Sequence, residues 1–269
     1  MRAALAISAV ALLCATPASA QVDSSAPTAE PVKLTEAEAA AFSKQIERRL
    51  AAGGARVAIV FRSGRPREAL PDGISYTHGA FWTYGPIETE DGKTLNGYAV
   101  HNLYQGREDV LSSYLKQDFP YDFVKPAVEE RVGVIVPTPG MQKRILEIMA
   151  SDQYKAMHQP AYSLISNPHD ASYQNCNEFM LDVIAASAWD TADRAQIKTN
   201  LAAYFKPSLV ETSLIQRLFA PMADARLRTD DHDGDIRTTT FASIAAFMEE
   251  YDLSDASYEI TFERDGAGN

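Results

Sequence analysis

Cysteine is nearly absent: the 269 residues hold two, Cys14 and Cys176. The first lies in a leader that reads as removable, and the one thiol then left cannot form an internal disulfide. Basic residues are also in deficit, with 25 Lys and Arg against 36 Asp and Glu and a net charge of −11. A chain without an electropositive footprint is a poor partner for nucleic acid. After residue 20 no run of about 18 apolar residues occurs, so no transmembrane span is expected in the mature chain. Gly-x-Ser-x-Gly, phosphate-binding glycine loops and zinc-type Cys/His spacing are missing too, and no cofactor is expected.

What is present is ordinary globular material, 46% hydrophobic and 23% charged. Residues 1–20 combine a basic start at Arg2, a short apolar stretch to Leu13 and a small-residue Ala18-Ser19-Ala20 end. That pattern predicts a signal peptide cleaved after Ala20 and a periplasmic or secreted protein. Loss of Arg2 leaves 24 basic and 36 acidic residues, hence 24 − 36 = −12. Residues 21–33, rich in Ser, Pro and Ala, predict a flexible tether. Residues 34–269 then form a single α+β domain with a helical C-terminal extension.

Within that domain, Thr35 and Glu38 make a capping box, and Phe42, Ile46 and Leu50 repeat at helical spacing, predicting a helix over 35–52. Three β-rich runs follow, Arg56–Arg62, Ser75–Tyr84 and Gly97–Tyr104, with turn chemistry between them. They predict an antiparallel meander. Helices are expected over 109–119, 141–158, 176–188, 192–205, 208–226 and 241–251, and strands over 132–136 and 258–262. A meander flanked by helices indicates α+β architecture, an antiparallel sheet packed against helices.

The strongest chemical constellation is Asn175-Cys176-Asn177-Glu178-Phe179, where an irregular loop delivers a cysteine to a helix N-terminus. The helix dipole and unpaired N–H groups there favour a thiolate. A buried cysteine serving as a small hydrophobe fits the same residues, because Cys176, Phe179, Met180 and Val183 share one helix face. Thiol catalysis also needs an imidazole to accept the proton and a group to orient that imidazole. His78 and His101 lie on adjacent predicted strands. Strand alternation sends His101 and Asn102 to opposite faces, so one of them at most orients His78. The reading favours His101, with Asn102 in reserve and Asn175 and Thr77 supporting.

These residues resemble the circularly permuted NlpC/P60 branch of papain-like proteins, which includes the lecithin:retinol acyltransferase-like group. The matching positions are Thr77-His78, His101, and Asn175-Cys176 with Phe179, spanning about residues 55–188. The resemblance implies a papain-like fold, with Cys176 as nucleophile, His78 as base and His101 as its orienting partner. The chain also resembles a family of secreted bacterial proteins known only as a domain of unknown function, through its Thr-His-Gly, Tyr-Ser-Leu and Gln-Asn-x-Asn segments.

The run Thr229–Asp235 invites a calcium reading, but Thr229 and Thr240 occupy the first and twelfth positions of an EF-hand register, so a solvated acidic turn is expected and no metal. The expectation is therefore an exported cysteine hydrolase or acyltransferase acting on amide or ester bonds, cell-wall peptides first. The alternative is a non-catalytic envelope binding or assembly module. Its substrate or protein partner in the envelope is not specified by the sequence.

Overall fold

A computed structural model describes residues 33–88, 91–211 and 225–264; the expected leader, and the tether up to residue 32, lie outside them. Helix α1, Glu36–Ala52, starts at the expected capping box: the Glu38 N–H donates to Thr35 Oγ1, and the Glu38 carboxylate accepts from the Thr35 N–H. Its apolar stripe, Phe42, Ile46 and Leu50, is fully buried. The meander forms as read, with β1 at Val57–Arg62, β2 at His78–Glu88 and β3 at Thr94–Gln105. Two further strands, β4 at Ser113–Asp118 and β5 at Arg131–Pro137, and a last one, β8 at Ser254–Thr261, complete one antiparallel sheet in the order β4-β3-β2-β1-β5-β8. Ser208–Leu209 and Arg237–Thr238, β6 and β7, pair separately as a short ribbon.

Seven α-helices are among the described residues, and they cover the two faces of the sheet. Alternation along the strands makes two cores. Ala58, Val60, Ala80 and Trp82 face α1 and a short helix α2, Pro120–Val124. Val57, Ile59, Phe61 and Phe81 face α3, Pro139–Met149; α5, Cys176–Trp189; and α7, Phe241–Glu250. The remaining helices are α4, Asp152–Ala156, and α6, Arg194–Tyr204. None of the described helices is long and apolar enough to cross a membrane.

Three expectations change. Within residues 109–119, predicted helical, Ser113–Asp118 form β4 and no helix is present. Leu115 and Tyr114 fit helical spacing, but pairing with Leu103 and Tyr104 across the ladder satisfies the outer backbone groups of β3. The helix predicted over 141–158 breaks at Ala150-Ser151 into α3 and α4, and the Ser151 hydroxyl bonds back to the Ile148 carbonyl. Of the helix predicted over 208–226, the start is the β6 strand, and residues 212–224 lie outside the described part.

Candidate functional site

Helix α5 is buried on every side from Cys176 to Ser187, so it runs through the middle of the molecule rather than over its surface. Its N-cap is Asn175, whose Oδ1 accepts the Glu178 N–H at 3.0 Å while Nδ2 donates to the Leu164 carbonyl at 3.2 Å. Two carboxylates on α5, Glu178 and Asp182, are completely buried. Lys198 of α6 donates to both, at 2.6 and 2.8 Å, and Arg194 flanks them at 3.5 and 3.4 Å. Gln174 Nε2 adds a bond of 2.7 Å to Asp182. Burial raises the Glu178 pKa against the pull of Lys198. This network locks α5, α6 and the loop leading to Cys176 together.

Close approach of α5 to the sheet depends on Gly79. A Cβ there would stand 2.3 Å from Met180 Cε and 2.7 Å from the Phe61 ring. With no side chain in the way, the backbone of Gly79 comes close enough to the Cys176 sulfur to favour its thiolate, as do the backbone N–H groups of Asn177 and of Cys176 itself. The thiol in turn points to Asn177 Oδ1 at 3.7 Å. Burial pushes the thiol pKa up, while these N–H groups and the charge of Arg62 pull it down; burial prevails.

The histidines take separate positions. Gly79 faces α5, so its neighbour His78 faces the other way, toward α2. There the imidazole stacks on Tyr104, with ring centroids 5.3 Å apart and planes 11° from parallel, and abuts Phe123 of α2. Its Nε2 meets Asn102 Oδ1 at 2.9 Å. Asn102 Nδ2 donates to Asp118 Oδ2 at 3.2 Å, which fixes the amide orientation and makes Nε2 the protonated ring nitrogen. Tyr104 Oη donates to the same carboxylate oxygen at 2.7 Å. Burial and the charge of Arg62 lower the His78 pKa from 6.5 to about 3, so the ring is neutral.

His101 is not the partner of His78. It pairs across the ladder with Phe81, three residues along β2 from His78, and so projects to the opposite face of the sheet. Its Nε2 meets Thr83 Oγ1 at 3.0 Å, and burial lowers its pKa to about 4. The physical reason is the register: the β2–β3 hairpin puts Asn102, not His101, on the His78 side. Thr77 fixes the turn before β2, its Oγ1 accepting the Gly64 N–H at 2.8 Å. His158 and His169 are engaged elsewhere, with Ser113 Oγ at 2.9 Å and the Phe205 carbonyl at 3.2 Å.

Two members of the α2-side cluster escape a reading of the sequence. Arg62 ends the apolar run Val57–Phe61, is 1% exposed, and lies over the Phe123 ring with Nε and Nη2 lacking hydrogen-bond partners. A charge closing a strand of buried residues is the signal that could have found it. Asp118 falls in a segment whose spacing predicts helix, which hides its cross-strand setting. The result is a buried row, Arg62, His78, Asn102 and Asp118, crossing four strands on the face opposite Cys176.

Cys176 instead lines a pocket, with Asn175, Asn177, Thr77 and Thr239 around it and Ile74, Leu164 and Ile165 among its apolar walls. No imidazole is among the described residues that line it. The Thr229–Asp235 loop is tied to Asn167: Asp231 Oδ2 accepts the Asn167 N–H and the Asp231 carbonyl accepts Asn167 Nδ2, each at 2.8 Å.

A family model described as an uncharacterised protein conserved in bacteria, DUF2145, matches residues 49–248. No curated protein matches the chain, and no solved structure does.

Proposed function

The chain belongs to the bacterial family DUF2145, whose description assigns no chemistry, and we propose from its site that it is a binding module, exported to the cell envelope, with its ligand site at the N-terminus of α5. The observation that carries this reading is the separation of imidazole and thiol onto opposite faces of the sheet. A cysteine hydrolase needs a base within hydrogen-bond reach of its nucleophile. His78 bonds Asn102 and packs between aromatic rings on the α2 side of the sheet, and burial raises the thiol pKa. The pocket supplies what a binding site needs: mostly apolar walls with a few convergent polar groups. Export rests on the leader-like residues 1–20.

One feature favours a second reading, the papain-like hydrolase or acyltransferase on amide or ester bonds. The backbone N–H groups of Gly79, Asn177 and Cys176 favour the thiolate of Cys176 against its burial, and backbone N–H groups beside a nucleophile are the donors that an oxyanion needs. The His, His, Cys order and the His78–Asn102 bond fit that chemistry as well. Alkylation of Cys176 by iodoacetamide as a function of pH separates the two. The binding module predicts a rate that climbs only above about pH 8.5 and is the same in His78→Ala. A plateau at lower pH that His78→Ala abolishes would establish the hydrolase.

A further inference from the structure

The two edges of the main sheet are finished differently. On β4 the outer edge is tied to the chain that follows α4: the Ser113 N–H donates to the Pro160 carbonyl at 2.8 Å, and Ser112 bridges Ala161. Among the described residues no strand lies beyond β8. Register shows which of its backbone groups are left open. The Phe262 N–H donates to the Glu130 carbonyl at 2.8 Å, and Ile260 and Tyr258 stand opposite Val132 and Val134, so these three residues bond β5 while Ser257, Glu259 and Thr261 aim N–H and C=O outward. Gln45 of α1 meets the same edge: its Nε2 donates to the Thr261 carbonyl at 2.8 Å and its Oε1 accepts the Glu263 N–H at 3.0 Å. This carboxamide closes the C-terminal end of the edge as a neighbouring strand would. Ser257 and Glu259 are exposed, and among the described residues nothing bonds their outward backbone groups. Such an edge is a template for an added strand.

A second feature is the groove of about 750 Å³ that runs between this edge and α1. Arg48 and Arg49 wall it, both exposed, and neither pairs with a carboxylate among the described residues; Arg49 lies over the Tyr258 ring, 5.9 Å from its centroid. Alternation turns Glu259 to the other face, where its carboxylate accepts from Tyr76 and Arg67, and Glu263 stands at the end that Gln45 closes. The open part of the edge is therefore locally positive in a chain with 36 acidic and 25 basic residues.

We infer that β8 accepts an extended peptide segment of another protein as an added strand, with acidic side chains at alternate positions reaching Arg48 and Arg49. Alternation dictates that spacing, because only every second residue of the added strand faces α1. No described residue lines both this groove and the Cys176 pocket, so the strand site and the thiol pocket are separate surfaces.

Fluorescence anisotropy of the full chain with the labelled heptapeptide Thr-Glu-Val-Glu-Val-Glu-Thr tests the inference. It should bind at least tenfold more tightly than the same peptide with lysine in place of each glutamate, and Arg48→Glu combined with Arg49→Glu, both at exposed positions, should reverse that preference. Peptides N-methylated at the glutamates or at the valines should differ at least tenfold in affinity, because only one set of N–H groups faces β8. Ser257→Pro removes an outward N–H without touching the β5 ladder and should weaken binding severalfold. Equal binding of the acidic and lysine peptides would overturn the acidic partner, and equal binding of the two methylated peptides would overturn strand addition. No binding of any peptide would overturn the site. A dimer in sedimentation that Ser257→Pro dissociates would assign the edge to a second copy of the chain and overturn the separate peptide.

Discussion

A neutral imidazole walled in by Tyr104 and Phe123 makes the fold sensitive to acid in a calculable way. The His78 pKa is about 3 in the folded chain, against 6.5 for an unperturbed histidine. Between those values the unfolded chain binds a proton that the folded chain refuses, so stability falls as pH falls. The contribution is present above pH 6.5, is lost progressively below it, and is gone once the pH is under the folded value. Linkage puts the loss between pH 7 and pH 5 at about 2 kcal/mol for His78 alone. His101, at about 4 in the folded chain, adds about 2 kcal/mol over the same interval. Together they remove a large fraction of a typical domain's stability, which is about 5–15 kcal/mol. Urea unfolding at pH 7 and pH 5 measures the loss directly. His78→Gln provides the control: comparing each protein with itself at the two pH values removes any general destabilisation, and subtracting one protein's loss from the other's removes the carboxylate titration that both share. The substitution should shrink the pH-dependent loss by about 2 kcal/mol. An identical loss in both proteins would show that His78 is not a buried neutral ring and would refute the reasoning.

Other perturbations probe neighbouring contacts. Gly79→Val should cost at least about 1–3 kcal/mol by overpacking against Met180 and Phe61, and should also raise the iodoacetamide reactivity of Cys176; an unchanged urea midpoint would contradict the close approach of α5. Asn102→Leu leaves the His78 Nε2–H without its acceptor and takes one donor away from Asp118 Oδ2, so a loss of about 1–3 kcal/mol is expected, read from thermal unfolding. Lys198→Met leaves two buried carboxylates with Arg194 as their cationic partner and should cost about 3–5 kcal/mol at neutral pH, with Glu178→Gln in the same chain recovering part of it. A double variant no more stable than the single one would mean that Glu178 is not charged in the native state.

Much of the frame is legible in the residues because local signals and burial agree there. Thr35 and Glu38 mark the start of α1, alternation marks β1 to β3, and Asn175 before an apolar run marks α5 and places Cys176 at its first turn. The edge strand β4 is less legible. Tyr114 and Leu115 satisfy a helical period as well as a strand, and the decision comes from the β3 edge, a partner distant in sequence. The pairing of His78 turns on a single residue of register. Alternation restricts the choice to His101 or Asn102, but the length and path of the long β2–β3 hairpin decide it, and no local signal encodes that path. The same ambiguity governs the thiol. Residue types and order bring Cys176 to the strand that carries His78, and only the face adopted by that strand separates sulfur from imidazole.

The protonation of His78 itself tests that separation most directly. Nitrogen chemical shifts of the labelled imidazole, recorded near pH 6 in the native protein and in Cys176→Ala, report both charge and tautomer. The geometry predicts a neutral ring protonated at Nε2 in both proteins, with shifts that do not respond to loss of the thiol. A doubly protonated ring in the native protein that becomes neutral in Cys176→Ala would reveal a thiolate–imidazolium pair and contradict the account.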